Sequence, residues 1–535
     1  MTPTARGAWL APAAGVALTG VVLALQVRFQ QHAGALWRDE VNSVNVAVLP
    51  TFGDVLAHSH LDSFPAAWTA VLHGWIRLGL GNGDAELRRL GFLIAVAAIA
   101  VVWWAARRLG AGAPLVTLLL LGMSPTAVVY GGQVRGYGLG ALAVAWCMAA
   151  VWGFVQRPSP WRWLVAAGAA VAAAQTYFGN AFLVLALCTA GAACAIRRGA
   201  WPAVLATGAI GGVAALSMLV NLPSVRYAMA LSPIEQGRYS LAWLASVLAG
   251  ALAPEVPVLA CAWAIAFVAA AAGWIAAWRD RAGPAVDRER ALFAAVAVSV
   301  GAAAYYGYLA FIKVRTAYWY YLPLMTLLAL AFEVGVVLLS RRIRHGALAR
   351  TALVAALAAL AYPPAARAVA MRMTNVDVIA GTVERLARPD DLVVVMPWYC
   401  GITFQRYYDG PAPWITLPDF DEHRFHLHAE VAEKMKRGDA GVADELARVA
   451  RTLASGNRVW VVGAPVAPKP GEDLPALPLA PHGPEGWRAA PYLYQWERRL
   501  GALLRDRGHA ISGIALPDLG AVNVAEALPL VLVEG

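Results

Sequence analysis

The chain has 535 residues, of which 60% are hydrophobic and only 14% charged. Soluble globular chains run at roughly half apolar and a quarter charged, so a chain that is soluble or disordered throughout is excluded. The formal net charge of +10 points to an anionic partner until the charges are located.

From Met371 onward there are 17 Lys+Arg and 21 Asp+Glu, and residues 1–370 hold the other 26 bases and 12 acids. The positive excess belongs to the apolar part, which removes nucleic acid as the expected partner. The chain reads as a membrane region at 1–370, including a first outer loop at 29–89, followed by a soluble extracytoplasmic α/β domain at 371–535.

A spanning helix needs about 20 apolar residues. Such runs fall at 8–28, 90–106, 113–130, 138–156, 163–179, 181–196, 202–222, 257–278, 291–310, 318–339 and 351–370, about eleven transmembrane helices. Every second joint is basic: Arg107–Arg108, Arg157 with Arg162, Arg197–Arg198, Arg279 with Arg281, Arg288 with Arg290, then Arg341, Arg342, Arg344 and Arg350. The positive-inside rule puts those joints in the cytoplasm, with the N-terminus inside and the C-terminal domain outside a multi-pass plasma-membrane protein.

Elements follow in chain order. In loop 29–89, Phe64, Trp68, Val71, Leu72, Trp75 and Leu78 recur at helical spacing, which predicts an amphipathic helix in the membrane interface, with a full span as the alternative. In the tail, Leu392–Met396, Arg458–Gly463 and Ile511–Leu516 read as strands and Tyr492–Arg507 as a helix. Pro and Gly mark 464–486 as a loop. The tail has no GxGxxG or GxxxxGK[ST], so nucleotide binding has no support. Four of the five cysteines sit in spans, Cys400 has no local partner, and no CxxC occurs.

Candidate chemistry lies on the outer side. Asp39–Glu40 follows the first span within Leu36-Trp37-Arg38-Asp39-Glu40-Val41-Asn42-Ser43. A carboxylate there is placed to take a proton from an attacking hydroxyl; the plainer reading is an acidic helix start. His60 and Asp62, in His58-Ser59-His60-Leu61-Asp62-Ser63-Phe64-Pro65, are candidate ligands for a divalent metal ion, or Asp62 caps a helix. No other cofactor is expected. Arg135, Arg226, Arg238, Lys313 and Arg315 break the cytoplasmic bias, and arginines suit a phosphate or an anionic lipid head group. Tyr318, Trp319, Tyr320 and Tyr321 suit an interfacial belt. Glu333, inside the tenth run, is a functional candidate or one half of a buried pair. A sugar on a polyprenyl phosphate accounts for these features together: an apolar tail for a membrane groove, a phosphate for cations, and an anomeric carbon attacked by a hydroxyl that a carboxylate deprotonates.

In ordered pieces the sequence resembles the GT-C glycosyltransferases, of the protein O-mannosyltransferase and aminoarabinose transferase type. Asp39–Glu40 resembles the family's acidic motif in its first outer loop. Asp62-Ser63-Phe64-Pro65-Ala66-Ala67-Trp68 resembles its D-x-x-P-P-L-Y stretch, with Ala66 for the second Pro and Ala67-Trp68 for Leu-Tyr. Leu87-Arg88-Arg89-Leu90-Gly91 resembles the arginine entering its second span, and Ser124-Pro125 through Arg135-Gly136-Tyr137 its R-x-Y loop. Arg315 through Tyr321-Leu322-Pro323 resembles its late R-Y-x-x-P element, here spread by Thr316 and Ala317. Asp391-Leu392-Val393-Val394-Val395 with Tyr407–Tyr408 resembles the start of its outer α/β domain. The resemblance implies a GT-C fold and an inverting transfer of a mannose- or arabinose-type sugar from a polyprenyl-phosphate donor to a hydroxyl on a glycan, lipid or protein. Asp39, with Glu40, is the implied catalytic group. Arg88, Arg135, Tyr137, Lys313 and Arg315 are implied substrate contacts, and Asp62 with His60 lines the cavity. The rival reading is a transporter or flippase, which predicts internal repeats.

Overall fold

The computed structural model describes residues 3–231, 240–253, 256–312, 316–480 and 488–535. Helices run in the order α1 Pro3–His32, α2 Arg38–Ala47, α3 Phe52–His58, α4 Ala66–Arg77, α5 Asp84–Arg108, α6 Leu115–Gly122, α7 Pro125–Gly132, α8 Gly136–Gln156, α9 Pro160–Thr176, α10 Asn180–Arg197 and α11 Trp201–Ser217. They continue as α12 Leu222–Leu231, α13 Leu241–Leu252, α14 Pro257–Arg279, α15 Ala285–Ile312, α16 Leu322–Ser340 and α17 Gly346–Ala368. The remainder alternates: β1 Met371–Arg372, α18 Val376–Leu386, β2 Leu392–Val395, α19 Gly401–Tyr407, β3 Trp414–Thr416, α20 His428–Met435, α21 Ala443–Ala454, β4 Val459–Val462, α22 Ala489–Arg507, β5 Ala510–Ile514, β6 Ala521–Val522 and β7 Leu530–Glu534. Contacts divide the chain into two compact units: Met1–His32, Phe64–Pro223 and Arg238–Ala370 form one, and Ala33–Ser63, Ser224–Gly237 and Met371–Gly535 the other. The first outer loop is therefore divided at Ser63, its first half packing with the C-terminal residues.

The first unit is a multi-pass membrane bundle. Among the described residues nine helices are long and apolar enough to cross a membrane, or ten if the α6–α7 pair, bent by 78°, is one span. All eleven expected runs coincide with helices, but the count falls short for two local reasons. The run at 113–130 is broken where Ser124 caps α7 and Pro125 opens it. The run at 163–179 forms α9, whose 17 residues end at Thr176. The amphipathic stretch forms α4, only 12 residues long, about 18 Å at 1.5 Å per residue and too short to span. Trp68 and Leu72 are buried, whereas Val71 and Leu78 are exposed.

The arginine-bearing joints meet at one end of this bundle. Arg341 reaches the Gly110 carbonyl oxygen at 2.7 Å and Asp287 at 3.3 Å. Arg342 pairs with Asp280 at 2.8 Å, and Arg198 pairs with Glu289 and donates to the Val155 carbonyl at 2.6 Å. Alternate loops thus converge as the charge pattern requires. Glu333 has the structural pairing weighed above: fully buried, it accepts from Thr117 N at 2.9 Å and pairs with Arg350 at 3.3 Å.

Close helix packing relies on glycine. A Cβ on Gly273 of α14 would collide with the Gly335 carbonyl oxygen of α16, and one on Gly335 would lie 2.6 Å from the Ala270 Cα. Small residues let membrane helices approach backbone to backbone. Gly273→Val should therefore force the two helices apart and cost about 1–3 kcal/mol, the usual range for overpacking. The check is a lowered thermal midpoint in detergent, with Gly250→Val, where a Cβ meets nothing within 4 Å, as the tolerated control.

In the second unit a five-stranded sheet runs in the order β3-β2-β4-β7-β5, with β6 pairing only β1. β2 pairs in parallel with β3 and β4, while β7 lies antiparallel to β4 and β5. The strands Leu392-Val-Val-Val395 and Val459-Trp-Val-Val462 are buried throughout, so alternate residues feed two cores. Val394, Val459 and Val461 pack with Val449, Trp496 and Leu500; Val393, Val395 and Trp460 pack with Val376, Ile379 and Phe404. The expected strands and the helix Ala489–Arg507 are present. The sequence reading missed β1, β3, β6 and the interior strand β7. The described part of the Pro/Gly-rich stretch, through Ala480, contains no helix or strand.

Candidate active site

In the second unit the site is organised by the short helix α2. Asp39, Asn42 and Ser43 stand at i, i+3 and i+4 and share a face. Asn42 donates to the Leu61 carbonyl at 3.0 Å and accepts from His426 N at 3.0 Å. Ser43 Oγ donates to Asp62 Oδ2 at 2.6 Å. These bonds tie residues 61–62 and 426 to the helix that carries Asp39. An apolar contact of Val46 and Val55 with Phe425 backs them.

Asp39 remains partly open, its side chain 18% exposed. Arg38 Nε lies 3.6 Å and His426 Nε2 3.5 Å from Asp39 Oδ1. Glu40 differs from the expectation of a second catalytic carboxylate: it is fully buried, and its Oε2 accepts from Trp37 N at 3.3 Å, closing the first turn of α2. The two adjacent acids therefore differ in exposure, because neighbouring helix positions point about 100° apart and only one faces the open side.

The Arg38 guanidinium sits between the rings of Trp37 and Tyr399, 4.9 and 4.6 Å from their centroids. It pairs with Glu526 at 3.3 Å and donates to the Ala525 carbonyl at 2.9 Å. Burial pulls this guanidinium down, but Asp39 and Glu526 more than offset that and leave it above its ordinary value. Thr403 Oγ1 donates to the Glu526 carboxylate at 3.2 Å. Burial pushes the Glu526 carboxyl up to about 7 against the pull of Arg38. His428, stacked on His426 at 5.8 Å, is held neutral: burial takes it down to about 3, with His426 adding to the fall and Asp39 opposing it.

A pH dependence follows. A carboxyl raised from 4.5 to about 7 on folding stabilises fully below pH 4.5 and loses that contribution as pH rises through 7. His428 acts oppositely, its lowered value making stability rise with pH up to about 6.5. Glu526→Gln removes only the first contribution. Relative to the variant, the wild-type thermal midpoint should fall between pH 5 and pH 8; parallel curves across that range would contradict the assignment.

Asp62 is buried, accepting from Ser43 and, through Oδ1, from Ser63 N at 2.8 Å. His60 turns elsewhere: its Nδ1 lies 2.9 Å from the Ala57 carbonyl, and its ring packs on Tyr227 at 4.8 Å. Among the described residues no group of three or more His, Cys, Asp or Glu is arranged to hold a metal ion. The structure therefore lends no donor set to the metal expectation for His60 and Asp62.

In the bundle, Arg135 is buried at the start of α8, its Cζ 4.5 Å from the Phe64 ring centre. Phe64 also meets Tyr137 at 4.8 Å, and Tyr137 stacks on Tyr320 at 5.8 Å. Gly136 makes the approach possible, since a Cβ there would come 2.5 Å from Phe64 Cδ1. Arg88 is likewise buried, 6.0 Å from the Phe29 ring. In the aromatic run 318–321, at the end of a candidate span, Tyr318 Oη meets Tyr130 Oη at 3.2 Å, Trp319 stacks on Tyr130 and Tyr321 is buried, while Tyr318, Trp319 and Tyr320 stay half-buried. Lys313, Arg315 and Arg238 lie outside the described residues. Sequence reasoning missed Arg38, His426, His428 and Glu526. The crowding of His423, His426 and His428 was a readable signal; Glu526 had none.

No family model and no curated protein matches the sequence. Among solved structures the chain is similar to ArnT from Cupriavidus metallidurans bound to undecaprenyl phosphate, with a TM-score of 0.52 and 14% identity over 88% of this chain and 96% of that one. It is also similar to the apo state of that protein, with a TM-score of 0.51 and 14% identity over 84% and 92% of the two chains. The chain thus shares the fold of these structures, and the helical membrane bundle with a C-terminal α/β region expected from the sequence is present.

Proposed function

We propose that this protein is a membrane glycosyltransferase that moves a sugar from a polyprenyl-phosphate donor to an acceptor hydroxyl on the outer face of the plasma membrane. The observation that carries the reading is the partly open Asp39 carboxylate between Arg38 and His426, in a chain with the ArnT fold. Asp39 takes the acceptor's proton as its oxygen attacks the anomeric carbon from the face opposite the phosphate. The carbon–oxygen bond to the lipid phosphate breaks, and the phosphate leaves with the electron pair, inverting the centre. Arg88 and Arg135 are the described cations assigned to the departing phosphate, whose charge they would balance; Lys313 and Arg315 join them by resemblance. Tyr137 is assigned to the sugar. His426 and Arg38 position Asp39, and Asp62 holds the α2 turn through Ser43.

The sugar is assigned to the mannose or arabinose type, and the acceptor to a glycan, lipid or protein hydroxyl. The basic end of the bundle is assigned to the cytoplasm, as the positive-inside rule dictates. The test is purified protein supplied with a series of polyprenyl-phosphate sugars and scored for release of free polyprenyl phosphate and for the anomeric configuration of the product. Release from none of the donors, or a product of retained configuration, would overturn the proposal.

A further inference from the structure

The basic end of the bundle holds a second candidate site. A cavity of about 200 Å³ opens between α6, α14, α16 and α17. Its wall on α17 runs from Gly346 to Leu357, a length of about 16 Å at 1.5 Å per residue. Ala262, Ala266 and Ala269 of α14 form a shallow side opposite, and Ile343 stands at the end near the arginine-bearing loop. Ile265, Ile343 and Leu353, all on the wall, are exposed, so the cavity is a lateral groove rather than a sealed void. A long, narrow apolar groove at membrane depth has the shape of an extended hydrocarbon chain.

The polar side chains lining this groove are Ser340 and Arg350, and the charge among them is cationic. The Arg350 side chain lines it and is 9% exposed. Its Nη1 serves Glu333, but its Nε is buried and, among the described residues, has no hydrogen-bond partner. A buried donor of that kind is costly unless something accepts from it. At the mouth, Arg341 and Arg342 are matched by Asp287 and Asp280. Arg344, next to Ile343, is exposed and has no acidic partner among the described residues. Apolar depth, a buried unmet guanidinium donor and an exposed arginine next in sequence to the lining residue Ile343 together fit one chemistry: hydrocarbon joined through ester oxygens to a phosphate.

We propose that the groove between α14, α16 and α17 binds an acyl chain of an anionic phospholipid, whose phosphate is held by Arg344 and whose ester oxygen accepts from Arg350 Nε. Basic pockets between spans are the usual means of anionic-lipid recognition. The site lies in the bundle, at the end that carries the arginines, and does not depend on the glycosyl-transfer reading.

The test uses the full-length protein in zwitterionic detergent, titrated with phosphatidylglycerol or phosphatidylcholine and read by native mass spectrometry and thermal shift. Wild type should prefer phosphatidylglycerol by at least tenfold. Arg344→Gln, at an exposed position, should remove about tenfold of that affinity, ~1.4 kcal/mol, and leave phosphatidylcholine binding alone. Ala269→Phe, which fills the groove without touching the ion pair, should weaken both lipids. Arg350→Lys keeps the charge facing Glu333 but lacks Nε, and should lower phosphatidylglycerol affinity severalfold. Equal binding of the two lipids by wild type, or undiminished phosphatidylglycerol affinity in either Arg344→Gln or Ala269→Phe, would overturn the proposal.

Discussion

Asp39→Asn is expected to lower sugar transfer by about three orders of magnitude, within the 10²–10⁴-fold span of general-base catalysis, while donor binding changes little. The amide keeps the size of the carboxylate and its place on α2, so Asn42, Ser43 and their bonds to Leu61, Asp62 and His426 should persist. What it loses is the ability to accept the acceptor's proton. A variant that still binds the lipid donor but fails to turn over separates a base from a binding group. Glu40→Gln is the internal comparison: Glu40 is buried and caps the helix, so its amide should cost stability with far less loss of kcat. Transfer by Asp39→Asn at the wild-type rate would remove the base assignment.

The largest stability effect is expected from the buried Arg38–Glu526 pair. Glu526→Ala leaves a guanidinium enclosed by Trp37 and Tyr399 without its carboxylate, and removes the acceptor for Thr403. Breaking a buried pair on one side costs about 3–5 kcal/mol, because the surviving charge stays desolvated. Replacing both partners by apolar residues of similar volume, Arg38→Met with Glu526→Leu, should recover most of that loss. Thermal unfolding of the single and double variants is the measurement. The double variant should fold yet transfer slowly, since Arg38 also faces Asp39. A double variant less stable than Glu526→Ala would show that the pair is net stabilising in place.

Much of this protein follows from patterns local in the chain. Spans require only a run of apolar residues, so every expected run is helical, although the one at 113–130 is split into α6 and α7. Their basic joints converge because arginines at alternate helix ends necessarily come to one side. Strands β2 and β4 are legible because a parallel strand buried on both faces is continuously apolar. The strand β7 escaped because it pairs antiparallel with β4 from the far end of the chain, and nothing in Leu530–Glu534 specifies a place between β4 and β5. Asp39 stood out because an acidic pair just after a span is conspicuous.

The tertiary structure decided what separates Asp39 from Glu40. Both are acids at one helix start, and only packing turns one to the open side and buries the other. It also supplied the groups around Asp39. Glu526 lies nearly 490 residues from Arg38 and His426 nearly 390 from Asp39. No spacing rule reaches across such distances, because those neighbours are chosen by how the sheet, its helices and α2 pack, not by any periodicity of the chain. The same holds for Arg350: by sequence it is one more basic residue in a cytoplasmic joint, and only the folded bundle turns its guanidinium inward between Glu333 and an apolar groove.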